Sequence, residues 1–278
     1  MIATLFFCAV ALHCHAQKFA VIGDFGINRT GAKRVSELVK SWTPEFIITL
    51  GDNNYYRGYQ RTIDRNIGRL YSCYIHPYKG RHGHGADTLR FFPALGNHDV
   101  MWQNGKAHFD YFELPGNERY YDFVWGSVHF FVLNSDPSEP DGTTATSIQG
   151  QWLKQQLSRS SAPWKVVYFH HPPFSSNHHG NNPWMDWPFK NWGASIVLSG
   201  HDHHYERIER NGTIYLVNGL GGAKTHPVQQ LVEGSKFQYN ARHGAIRAKA
   251  TETKLSLEFI SIDKELIDSV ELTKNAKK

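Results

Sequence analysis

Five short motifs on this chain each carry side chains able to give oxygen or nitrogen to a metal ion. In chain order these are Asp24-Phe-Gly26, Gly51-Asp52-Asn-Asn-Tyr55, Gly96-Asn97-His98-Asp99, Val167-Tyr-Phe-His170 and Gly200-His201-Asp-His203. Carboxylate, phenol, amide oxygen and imidazole are hard or borderline donors that suit iron, zinc or manganese, not soft thiolate chemistry. The inventory is enough for two ions, and a carboxylate can bridge ions roughly 3.5–4 Å apart. Singly, each motif has a plain reading. A Gly-Asp at a strand end is a turn, and Asn97-His98 can close one through side-chain hydrogen bonds. The ordered set is what points to a metal site, and the 17 histidines of the chain agree with it.

The elements that must carry these donors can be read from the hydrophobic pattern. Phe19 to Gly23 and Phe46 to Leu50 are short apolar runs expected as buried strands ending at Asp24 and Gly51-Asp52. Between them Val35, Leu38, Val39 and Trp42 recur at helical spacing. A strand–helix–strand unit implies parallel pairing with both faces of the sheet covered. Arg90 to Leu95 is expected as a third strand leading to Asn97, with Pro93 arguing for an edge or an irregular end. Further strands are expected at 128–134, 164–169 and 194–199, and a helix at 149–158. The donors then lie just beyond the carboxyl ends of strands, where open α/β sheets place their sites. After Thr251, Leu255, Leu257 and Phe259 alternate with polar residues as in an antiparallel strand, and the slip at Ile260 suggests a bulge. His201 and His203, two apart on extended chain, would share one side. His171 would point away from His170 and stays outside the donor set, and His204 is expected to be structural. Gly219-Leu-Gly-Gly222 lacks the lysine and spacing of a P-loop and reads as a tight turn.

With these motifs the sequence closely resembles the purple acid phosphatases, dinuclear metallophosphoesterases with a tyrosine ligand; the likeness runs from about residue 19 to about residue 222. It implies an α/β fold of two mixed β-sheets packed as a sandwich flanked by helices, the calcineurin-like metallophosphoesterase fold. It further implies Fe(III) at Asp24, Asp52, Tyr55 and His203, with Fe(II), Zn(II) or Mn(II) at Asp52, Asn97, His170 and His201. His98 and His179 match family positions for phosphate orientation and general-acid work, respectively, roles that could be exchanged. The reaction implied is hydrolysis of phosphate monoesters by a metal-bound hydroxide, with the ions offsetting transition-state charge. A phosphodiesterase or phospholipase on the same site is the alternative, and a non-catalytic metal-binding surface protein a more distant one. Tyr205-Glu206-Arg207 resembles the end of the family's last motif; its plain role is loop bracing by an ion pair.

The 278 residues, 40% hydrophobic, suffice for one large core, expected as a single catalytic domain over 17–278. The net charge of +5 is dispersed and marks no nucleic-acid stripe; small phosphate esters are the expected partners. Ile2 to Leu12 is apolar but too short to span a bilayer, and reads as part of a signal peptide over 1–16, hence a secreted or periplasmic protein. Its removal would take Cys8 and Cys14 and leave Cys73 without an intrachain partner. No later segment is long and apolar enough to cross a membrane, and no oligomeric state is implied. Asn28-Arg-Thr30 and Asn211-Gly-Thr213 are glycosylation acceptors in a eukaryotic host only. His76, His82 and His84 are expected on an exposed loop, and Lys274 to Lys278 as a solvated tail.

Overall fold

A computed structural model describes residues 16–275; all but the last residue of the expected signal peptide, and the end of the basic tail, lie outside the described residues. The strands in chain order are β1 (Gln17–Ile22), β2 (Phe46–Thr49), β3 (Phe91–Pro93), β4 (Tyr121–Trp125), β5 (Val128–Val132), β6 (Trp164–Tyr168), β7 (Ile196–Ser199), β8 (Tyr205–Arg210), β9 (Thr213–Asn218), β10 (Ser235–Tyr239), β11 (Gly244–Ala250), β12 (Lys254–Ser261) and β13 (Leu266–Thr273). They form a six-stranded sheet in the order β13-β12-β11-β1-β2-β3 and a seven-stranded sheet in the order β10-β8-β9-β7-β6-β5-β4. Both sheets are mixed. Strands β1, β2 and β3 run parallel, as do β5, β6, β7 and β9, and the remaining pairs are antiparallel.

Alternation along the strands explains why two sheets stack with helices outside. Phe19 and Val21 of β1, Phe46 and Ile48 of β2, Trp164, Val166 and Tyr168 of β6, and Ile196 and Leu198 of β7 meet in a core between the sheets. Their neighbours face outward. Ala20, Ile22 and Ile47 pack against helix α1 (Thr30–Ser41) and the helical segments within 60–75 and 106–111. Val167 and Val197 pack under the helix Ile148–Arg159 and the turn around Trp187 and Phe189. Because the parallel strands are covered on both faces, they read as unbroken apolar runs. Strand β3 is the sheet edge, as Pro93 requires. The pairing of β12 with β13 slips between Phe259 and Ile260, where the alternation also slips. No helix among the described residues is long and apolar enough to cross a membrane.

Candidate metal centre

Strands from both sheets end at one cleft. Asp24 follows β1, Asp52 and Tyr55 follow β2, and Asn97 follows β3, whereas His170 follows β6 and His201 and His203 follow β7. The six-stranded sheet thus supplies the oxygen donors and the seven-stranded sheet the nitrogen donors. Tight turns aim these side chains. Asp24, Asp52 and His201 hold φ of 55°, 52° and 69°, a left-handed conformation that costs a non-glycine residue roughly 1–3 kcal/mol and concentrates at functional sites. The loops also touch. A Cβ on Gly96 would lie 2.2 Å from the Asp52 nitrogen, and one on Gly51, itself at φ 90°, 2.5 Å from His170 Nδ1.

All seven expected donors converge, in two overlapping groups. In the first, the Tyr55 hydroxyl lies 3.2 Å from Asp24 Oδ1 and 3.0 Å from His203 Nε2, with His203 Nε2 3.5 Å from Asp24 Oδ1. In the second, Asn97 Oδ1 lies 2.9 Å from His170 Nε2 and 3.1 Å from His201 Nδ1, and those two nitrogens are 3.1 Å apart. Asp52 faces both groups: its Oδ1 is 3.4 Å from His170 Nε2, and its charge helps hold the Tyr55 phenol neutral. Donor atoms of Asp24, Asp52 and His170 lie within 4.8 Å of one another.

Protons and charge show that this set fits cations. His170 Nδ1 bonds the Leu50 carbonyl at 2.8 Å and His203 Nδ1 the Lys224 carbonyl at 2.7 Å. A carbonyl only accepts, so each Nδ1 carries the proton, and in the neutral ring Nε2 turns a lone pair toward the other donors. Burial, then the charges of Asp52 and Asp24, hold the Tyr55 phenol well above its ordinary range. Burial also opposes charge on Asp24 and on His203. Their mutual hydrogen bond outweighs it, holding the Asp24 carboxyl below the usual range and pushing His203 up to about 9. Burial, then the charges of His170 and its imidazole neighbours, drives His201 far below the usual histidine value. A cation bound here would satisfy the facing lone pairs and turn the phenol into a phenolate.

Comparison with known proteins gives the family and the fold. The family model for the calcineurin-like phosphoesterases matches residues 17–205. The chain belongs to that family. The chain is 29% identical over 245 residues to purple acid phosphatase 15 of Arabidopsis thaliana, covering 74% of the present chain and 45% of the relative. It is 25% identical over 244 residues to the tartrate-resistant acid phosphatase type 5 of Homo sapiens, covering 74% and 73%. The chain spans about half the length of the plant relatives it matches. Its fold is that of a purple acid phosphatase from yellow lupin (Lupinus luteus) seeds, at a TM-score of 0.77, 18% identity and coverage of 93% and 54%. GAP50, the anchor in the inner membrane complex of Plasmodium, shares the fold at 0.73, with 19% identity and coverage of 95% and 90%. Two metal ions are what membership of the metallophosphoesterases implies.

Around the converging donors a cavity of about 390 Å³ is lined by His98, His178, His179, Arg29, Lys224 and His226. His98 Nδ1 lies 2.5 Å from the Tyr56 carbonyl, and its Nε2 3.9 Å from Asp52 Oδ2. The exposed His179 sets its ring 4.2 Å from that of His201, and its backbone N–H donates to Asp202 Oδ1 at 3.0 Å. His171 departs from expectation: its ring lies 4.5 Å from that of His201, and one of its nitrogens is within 4.8 Å of the donor atoms of His170 and His201. The chain bends immediately after β6, so strand alternation no longer governs position 171. Residues 201–204 likewise form successive bends, not extended chain, although both imidazoles reach the site as expected. His204 is structural, its Nε2 3.0 Å from Glu206. Glu206 does brace a loop, but by accepting from the Ser176 N–H and hydroxyl, while Arg207 pairs with Asp268 instead. Gly221 donates to the Gly23 carbonyl, so the 219–222 turn abuts the Asp24 loop.

Several supporting residues carried no recognised signal. Asp99 accepts from the N–H groups of Gly96 and Asn53 and from the Asn53 amide, tying the Asn97 loop to the Asp52 loop. His226 stacks on the donor His203 at 4.6 Å. Arg29 donates to the Tyr56 hydroxyl at 2.9 Å. His76, His82 and His84 lie outside the cavity, on exposed chain as expected.

Proposed function

We propose that this phosphoesterase is an exported acid phosphatase that hydrolyses phosphate monoesters at a dinuclear centre. Fe(III) is assigned to Asp24, Asp52, Tyr55 and His203, whose anionic oxygens favour a trivalent ion, and Fe(II), Zn(II) or Mn(II) to Asp52, Asn97, His170 and His201. When bound, the pair supplies Lewis acidity: an acidified water as nucleophile and positive charge for the phosphoryl oxygens. The chain's own side chains do the rest. His98, with one nitrogen fixed on the Tyr56 carbonyl, is aimed to orient and neutralise the phosphate. His179 is placed to give a proton to the departing alkoxide.

The observation that carries the reading is the division of charge around the cavity. Its one lining carboxylate, Asp52, is buried among the donors, while the cations Arg29 and Lys224, with the imidazoles of His98, His178, His179 and His226 as hydrogen-bonding groups, form the walls. Such walls favour the doubly charged monoester over the singly charged diester. Turnover of p-nitrophenyl phosphate and its bis-ester, measured with elemental analysis and a visible spectrum on chelator-free protein, tests it. A strong preference for the monoester and two metal equivalents with an iron–phenolate band are expected; preference for the diester would reverse the substrate assignment. Export is supported by the apolar run Ile2 to Leu12.

A further inference from the structure

A larger cavity of about 770 Å³ opens beside the metal centre and shares Arg29, Ala223 and Lys224 with it. Its other ionisable lining residues are Lys33, Arg69 and His243, and none of its walls is a carboxylate. The four lysines and arginines are exposed; Arg29 and Lys33 come from the start of α1, and Arg69 and Lys224 are brought to them from distant parts of the chain. Among the described residues Arg69 and Lys224 have no ion-pair partner. Arg29 spends one bond on the neutral Tyr56 hydroxyl, and Lys33 reaches Glu37 only at 3.8 Å. His243 holds the inner wall by a 2.8 Å bond from Nε2 to the Ala223 carbonyl. Gathering like charges around a concavity raises the energy of the folded chain and concentrates anions there. The two cavities meet at Lys224, which lines both and whose carbonyl fixes His203.

We propose that this cleft is a subsite for a second phosphate group of the substrate, so that esters bearing two or more phosphates are preferred to those bearing one. The inference rests on the phosphatase reading above. A phosphoryl group over the donors leaves the rest of such a molecule to lie along Arg29 and Lys224 toward Lys33 and Arg69. Guanidinium and ammonium groups are the side chains suited to phosphate oxygens. An open concavity next to the reacting centre, with four cations among its lining residues, has room for a small polyanion, whereas a duplex or a membrane surface needs a longer basic face.

The test compares fructose 1,6-bisphosphate with fructose 6-phosphate, a pair differing by one phosphate, in the wild type and in a Lys33→Ala, Arg69→Ala double variant. Both residues border the outer cleft and touch none of the donors. At low ionic strength the wild type should prefer the bisphosphate in kcat/KM by roughly ten-fold, and about 0.5 M salt should erase the preference. The double variant should lose it while its turnover of the 6-phosphate stays within about two-fold of wild type. Calorimetry supplies a readout without turnover: inorganic tripolyphosphate should bind chelator-treated wild type roughly ten-fold more tightly than the double variant. A wild type indifferent to the second phosphate, or a variant that keeps the preference and the tripolyphosphate affinity, overturns the subsite. Absence of turnover on every ester sinks the phosphatase reading instead, and the tripolyphosphate comparison then decides the cleft alone.

Discussion

His179 illustrates how a single side chain is committed by its surroundings. Its ring leans on that of the donor His201, and its main chain is fixed by Asp202, which is buried between the two last donors. A proton donor helps most when the leaving group is a strong base. His179→Ala should therefore slow alkyl phosphates by about 10²–10⁴-fold but activated aryl phosphates by far less. Steady-state rates over a series of leaving groups check this; an equal loss across the series would make His179 a positioning group. His98 differs in kind: its backbone N–H donates to Asp52 Oδ1 at 3.0 Å, so the loop that presents it also helps set the shared carboxylate.

Between residue and fold, the strand-end loops work as an interlocked set. Gly96 is small because Asp52 leaves no room: a methyl group at 96 must displace the Asp52 backbone or tear the Asp99 clamp that joins both loops. Gly96→Ala is expected to lower metal content and turnover by about ten-fold or more while the far-ultraviolet dichroism persists, since a misplacement of about 1 Å can cost about 10²-fold. Full metal content in that variant would show that the loops yield more easily than the contact implies. At this scale the sequence is most legible where burial is two-sided. Strands β1, β2, β6 and β7 announce themselves as apolar runs, and the donor side chains by their types and order. The strands β10 and β13 were not foreseen, because at the sheet edges their residues are mostly half-buried or exposed and no clean alternation survives. Nor were the Leu50 and Lys224 carbonyls that set the imidazole protons, since a backbone carbonyl leaves no mark on residue type. His171 misled for a related reason: a bend ends the period that sequence reasoning assumed.

For the molecule as a whole, stability in acid is set partly far from the cleft. His108 is buried against Phe112 with neither ring nitrogen bonded, and burial lowers its pKa from 6.5 to about 3. As pH falls below the unfolded value near 6.5, the unfolded chain takes up a proton that the folded chain refuses until about 3. Stability should then decline across that window by up to about 1.4 kcal/mol per pH unit from this group. His108→Leu should flatten the decline in urea unfolding between pH 7 and pH 5, and identical slopes would clear His108 of the effect.

The split of donors between the sheets has a consequence of its own. Oxygen comes from one slab of the sandwich and nitrogen from the other, so a cation held by the mixed set is gripped from both slabs at once. A bound ion acts as a rivet across the seam, and anything that prises the slabs apart must first break its coordination. Cofactor retention is in this sense a gauge of whether the two halves of the protein are still seated together.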